Sequence, residues 1–242
     1  MKQILSLALL TMLSIAAGAQ NIQVHYDFGR SIYSNEEDGR QPMTITLEQF
    51  KADRWGSWFY FVDFDINAKD FKGAYTEISR EFNLGKQSPF AAHVEYNGGL
   101  NLGGSFQHAA LLGPAFNGHN ADYSTTYSVQ LLYKRYLKNS AGLKGYNSVQ
   151  LTGVWSTMFC HRALTFSGYI DFWRGEVAGE GKLVILSEPQ LWYNFNTLHG
   201  MKDVNLSIGT ELEISNNFIW NMDPQSSKTF FVNPTLALKW TF

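Results

Sequence analysis

Between Trp58 and Asp65 the chain sets aromatic rings beside carboxylates at every second position. Phe59, Phe61, Asp63 and Asp65 share one side of an extended backbone, and Trp58, Tyr60, Val62 and Phe64 share the other. A ring offers a flat face on which a heterocyclic base stacks, at about 1–3 kcal/mol per base. A carboxylate next to it accepts hydrogen bonds from hydroxyls or exocyclic amines. The same residues could instead fill the inside of a small barrel. Tyr169, Asp171 and Trp173 make a second patch of this kind on one side of another segment. Carboxylates recur at matching positions elsewhere, at Asp27, Glu48, Glu77, Glu95, Glu188, Glu211 and Glu213, with His25, His93, Asn97, Gln107 and Gln190 as polar company. If these line one interior, it disfavours anions and suits neutral or cationic solutes. A polar wet interior with no particular solute is the competing use.

Covalent chemistry finds less support. Ser156 and His161 are the nearest serine–histidine pair late in the chain, but nothing marks a nucleophile or a third partner. The six histidines are scattered without ligand spacing, so no metal and no cofactor are expected. Cys160 is the sole cysteine, which excludes a disulfide scaffold, and an exported thiol is expected to be buried or lipid-facing. Gly98-Gly99 and Gly103-Gly104 read as barrel bends or turns, since no helix follows them.

The elements that carry these residues follow a period of two from end to end. Ile22, Val24, Tyr26 and Phe28 oppose Gln23, His25 and Asp27; Val149, Leu151, Trp155 and Phe159 oppose Ser148, Gln150, Thr152 and Ser156. Leu206, Ile208, Leu212 and Ile214 oppose Ser207, Glu211 and Glu213. Turn residues separate predicted strands at 22–33, 43–50, 56–65, 73–84, 90–100, 106–117, 123–137, 147–160, 163–173, 183–195, 204–215 and 229–242. That is an even set of membrane-length strands, as expected of a transmembrane antiparallel barrel of about twelve strands with both termini in the periplasm. The outward connections then include 34–42, 138–146, 174–182 and 216–228, and the inward ones are mostly tight. Trp55, Trp58, Trp240 and Phe242 fall near one rim, and Tyr33, Tyr133, Tyr136 and Tyr146 near the other, as interfacial aromatics do. Lys134, Arg135, Lys138 and Lys144 surround one outward loop, where they could meet lipopolysaccharide phosphates.

The two ends point to export. Lys2, the apolar run from Ile4 to Ala17 and the small residues Ala17-Gly18-Ala19 read as a cleaved signal peptide over 1–19, leaving one domain over 20–242. At the other end Leu236, Leu238, Trp240 and Phe242 alternate with polar or small residues, and the terminal Phe242 resembles the signal read by the barrel-assembly machinery. A net charge of −2 offers nothing to a nucleic acid. Beyond the leader no segment is apolar for long enough to make a spanning helix.

Against this background, several segments resemble the Tsx-like nucleoside-specific channels of the bacterial outer membrane. They are His25-Tyr26-Asp27-Phe28-Gly29, Asp53-Arg54-Trp55-Gly56 leading into Phe59-Tyr60-Phe61-Val62-Asp63, Glu77-Ile78-Ser79, and the Phe242 terminus. The resemblance spans most of the chain in layout and about a quarter in recognisable residues. It implies a monomeric twelve-stranded barrel in outer-membrane lipid, with aromatic and polar lumen residues that pass nucleosides by facilitated diffusion. The candidate lumen residues are Phe59, Phe61, Asp63, Asp65, Asp27, Glu95, Asn97, Tyr169, Asp171, Trp173 and Glu211. The expectation is a passive channel for small polar solutes and no enzyme. Two other readings stand beside it: a lipid-modifying esterase or deacylase, and a closed barrel whose outer loops bind a partner.

Overall fold

A computed structural model describes residues 19–67, 69–139, 142–177 and 179–242. The expected leader lies outside these apart from Ala19. Strands run β1 Ala19–Asp27, β2 Met43–Asp53, β3 Gly56–Ile66, β4 Phe71–Asn83 and β5 Phe90–Asn101. After the two-residue β6 Gly104–Ser105 come β7 Ala109–His119, β8 Thr125–Tyr136, β9 Asn147–Phe159 and β10 Leu164–Val177. The chain finishes with β11 Glu180–Ser187, β12 Gln190–Asn194, β13 Leu206–Asn216 and β14 Phe230–Thr241. Each strand pairs antiparallel with its neighbour, and β14 pairs β1 with Asn21 opposite Thr241. The β9–β10 ladder completes the circuit. Closure leaves no sheet edge with unpaired peptide groups, the condition for strands to cross hydrocarbon.

β11 and β12 act as one stave. Both pair with β10 and with β13, and Glu188-Pro189 interrupts them. Proline has no N–H to give a ladder. Opposite it Gly168 sits at φ +148, where a Cβ would come within 2.4 Å of the Glu188 carbonyl oxygen, so only glycine lets the strands approach there. With β6 only an appendage of β5, the structure is a closed antiparallel barrel of twelve staves.

Burial follows the sequence period. Along β14, Phe231, Asn233, Thr235 and Ala237 are buried, while Phe230, Leu236, Leu238 and Trp240 are exposed. Along β9, Ser148, Gln150 and Thr152 are buried between the exposed Val149 and Leu151. The polar side is therefore inside and the greasy side outside, the inverse of a water-soluble barrel.

Several predicted boundaries shift. The first strand ends at Asp27, and a short helix, Gly29–Ile32, follows in place of an extended run to Tyr33. Asp27 Oδ1 accepts the Gly29 N–H at 2.6 Å and turns the chain there. The expected outward loop over 174–182 is instead the continuation of β10 and β11 into a tight hairpin, with Val177 opposite Glu180. Cys160 is exposed in the β9–β10 turn at φ +50, not buried.

Candidate functional site

Alternation and register fix which side chains meet inside. In β2 to β5, Glu48 lies opposite Phe61, Phe61 opposite Glu77, and Glu77 opposite Asn97. These form one inward row across four strands. Phe59, Phe61 and Tyr75 make a run of rings with centroids 6.1 Å apart, and Phe106 continues it 6.2 Å beyond Tyr75. Phe106 reaches the run because Gly99 leaves room: a Cβ there would lie 2.7 Å from its ring. The Tyr75 hydroxyl donates to Glu77 at 2.8 Å. Asp63 and Asp65 accept from Thr46 and Thr44 on β2. The expected rings and carboxylates of β3 thus share the interior.

Other candidates are committed to neighbours. Glu95 is held by His93 at 3.0 Å, and His93 also meets Glu81 at 3.2 Å. Asn97 is buried with its Oδ1 unpartnered among the described residues. Asp171 accepts from Thr152, and Glu211 accepts from Gln190 at 2.6 Å. Asp27 is taken up at the mouth by Arg40, at 2.7 Å and 3.0 Å, and by Gly29. Tyr169, Asp171 and Trp173 do share a face of β10, and Asp171 and Trp173 lie opposite the buried Thr152 and Gln150 of β9. Gln107 is not on a strand; its amide donates to the Leu137 and Lys144 carbonyls and fastens a connection.

The carboxylates from β3 and from the opposite wall, Asp63, Glu188 and Glu211, are close enough to repel one another across the interior. Each is half-buried. The interior is acidic on these walls.

Two cations that the strand period alone does not single out answer this charge. Lys134 was expected on an outward loop, but it is buried inside, its Nζ donating to Gln150 at 2.7 Å and lying 4.6 Å from the Trp173 ring centre. It sits within Coulomb range of Glu77, Glu95 and Asp171. Its even position, shared with Gln130 and Leu132, carried the signal; the neighbouring Arg135 and Lys138 hid it. Lys239 stands 4.0 Å over Trp192, a fully buried indole that donates to Gln190. Tyr33 and Tyr136 likewise turn away from the outer belt. Tyr33 packs edge-on to Phe231, and Tyr136 stacks on Tyr146 at 4.3 Å.

The connection over 28–42 folds into the mouth opposite the termini. Arg40 there bonds Asp27 of β1 and Glu213 of β13 and lies 3.5 Å from Glu37. Asn233 of β14 donates to Glu37 at 2.9 Å. Burial is the largest influence on Glu37 and holds its carboxyl above the ordinary range, against the opposing pull of Asn233 and Arg40. Burial works against the Arg40 charge, but Glu213 and Asp27 more than offset it and leave the guanidinium firmly charged. The connection over 217–229 packs on the same segment through Met222 N–H to the Glu36 carbonyl at 2.8 Å. Ser156 lies inside β9 opposite Ser167, and His161 lies in the exposed turn beyond it, with no hydrogen bond joining them among the described residues.

A closed twelve-stave barrel with a polar core and a greasy wall is the architecture of outer-membrane β-barrels. In solved structures it resembles the NanC porin at a TM-score of 0.58 and 11% identity, over 93% of this chain and all of that one. The KdgM porin (0.49, 12%, 93% and 99%) and LpxR from Salmonella typhimurium (0.47, 8%, 93% and 100%) also align. The chain belongs to the family described as Domain of unknown function (DUF5020), whose model matches residues 19–242. No curated protein matches the sequence.

Proposed function

We propose that this protein is an outer-membrane channel for passive diffusion of small polar solutes, with nucleosides as the leading class. The carrying observation is the inward row of Phe59, Phe61 and Tyr75 next to Glu77, Asp63 and Asp65 in a closed barrel. Rings there stack on a base, and carboxylates accept from ribose hydroxyls. Weak serial contacts speed entry without trapping the solute. The other candidate contacts are Asn97, Glu95, Tyr169, Asp171, Trp173 and Glu211, with Asp27 at the mouth. In this reading the termini face the periplasm, Phe242 is the assembly signal, and the protein is a monomer in outer-membrane lipid and lipopolysaccharide. The Tsx-like resemblance and the shared porin architecture support it.

Influx of labelled uridine into proteoliposomes tests the reading. Faster entry than into protein-free vesicles, saturable and slowed by Phe61→Ala, is the expected result. Entry at the lipid-only rate through folded barrels would overturn it.

A further inference from the structure

The segment over 28–42 turns back into the barrel. Tyr33 packs edge-on to Phe231 with ring centres 5.2 Å apart, and Glu37 meets Asn233. Both partners belong to the inward face of β14, and neither has exposed surface. Ser226 of the connection over 217–229 ties to the same segment, its Oγ donating to Glu36 Oε1 at 3.3 Å. Docked this way, the segment occupies the mouth beside β1, β13 and β14.

One hydrogen is missing from its contact with β14. Asn233 Nδ2 donates to Glu37 Oε1 at 2.9 Å and lies 3.4 Å from Glu213 Oε1. Glu37 Oε2 and Asn233 Oδ1 are both buried with no hydrogen-bond partner among the described residues. They converge on one spot: a Cβ added to Gly29 would stand 2.8 Å from the first and 2.6 Å from the second. Burial of both leaves bulk water no access. Arg40 cannot supply the hydrogen either. Its Nε is 3.5 Å from Oε2 but gives its single hydrogen to Asp27 Oδ2 at 3.0 Å. Turning the amide over only changes which oxygen goes without. An ionised carboxylate accepts and never donates, whereas a protonated one carries an O–H. A proton on Oε2 completes the set. The new O–H then donates to Asn233 Oδ1 beside the existing N–H bond, as carboxylic acids pair with amides.

On the channel reading above, we infer that a proton shared by Glu37 and Asn233 latches 28–42 as a lid, so that acid holds the mouth shut. Burial also holds the Glu37 carboxyl above its ordinary range, in the same direction. The charged groups that face it are Arg40 of its own segment, Asp27 of β1 and Glu213 of β13. From the connection over 217–229 come the apolar Ile219, Trp220 and Met222, while Lys228 stands over Tyr33 instead. As pH falls from the raised value to 4.5, the docked-to-open ratio should climb by up to about tenfold per pH unit, then level off. Planar-bilayer conductance of the full barrel from neutrality to pH 4.5 tests this. Wild type should close progressively. Glu37→Gln, whose amide supplies the second donor at every pH, should stay closed, and Glu37→Ala should stay open. Wild type that conducts equally throughout, Glu37→Ala that closes in step with it, or Glu37→Gln that conducts like neutral wild type overturns the latch. Silence of every variant at every pH fails the channel reading instead, and infrared spectroscopy then reads the proton alone. A protonated-carboxyl band above pH 4.5 in wild type, missing in Glu37→Gln, is expected, and its absence overturns the shared proton.

Discussion

Arg40 shows what one residue can decide at the mouth of a closed barrel. It is the cation among Asp27, Glu37 and Glu213, and removing it leaves three crowded carboxylates. Arg40→Ala should cost about 3 kcal/mol of stability, the low end for breaking a buried pair because Arg40 keeps some exposure. Urea unfolding in detergent micelles checks this, and a loss under 0.5 kcal/mol, the range of ordinary surface changes, would mean the cluster is not holding the loop. Phe61 tests the interior in the same way. Phe61→Ala should weaken nucleoside binding by about 1–3 kcal/mol, the worth of one stacked base, measured as the blocking constant in single channels. At this scale the sequence was half legible. The period placed Phe59, Phe61, Asp63 and Asp65 together. It could not show that Asp27 is consumed by Arg40, because that contact joins a strand end to a loop whose path no alternation encodes.

Whole strands were easier to read than their partners. Exposure of Val24, Leu236 and Leu238 against burial of Gln23, His25 and Asn233 repeats the two-residue period, since a one-residue slip would turn every polar group to lipid. Ile208 is exposed on β13 opposite Leu238, so Ile208→Arg should cost about 2–4 kcal/mol if it sits near mid-membrane. Folding yield into vesicles measures this, and an unchanged yield would contradict the facing of β13. The loop over 28–42 was misjudged because Phe28 and Ile32 continue the apolar alternation while Asp27 and Gly29 stop the strand. That loop carries a pH dependence. With its carboxyl above the 4.5 of a free glutamate, Glu37 favours the docked loop when protonated, and this contribution is lost as pH rises through the raised value. The groups facing it are Arg40 of its own segment, Asp27 of β1, Glu213 of β13 and Asn233 of β14. Hydrogen exchange over 28–42, corrected for intrinsic rates, should slow on acidification from neutrality toward pH 4.5, and Glu37→Gln should flatten the change. Equal slowing in Glu37→Gln would assign the effect to another group.

At the scale of the molecule, closure explains how so polar an inside can sit behind so greasy a wall. Twelve staves satisfy one another's peptide groups, the wall outside is Leu, Val, Phe and Trp, and the interior sets carboxylates against Lys134 and Lys239. Count and closure were readable from turn spacing; the inward turn of Lys134 was written in its even position but masked by Arg135 and Lys138, and the shared stave of β11 and β12 was not readable, because it depends on pairing with β10 and β13 far along the chain. The central claim is that this interior conducts. Planar-bilayer recording of the purified barrel in a salt gradient tests it most directly. A conducting acidic interior should give stepwise conductance with a reversal potential favouring cations and interruptions that lengthen as nucleoside is added. A folded, inserted barrel that never steps above baseline, or one that prefers anions and ignores nucleosides, would contradict it.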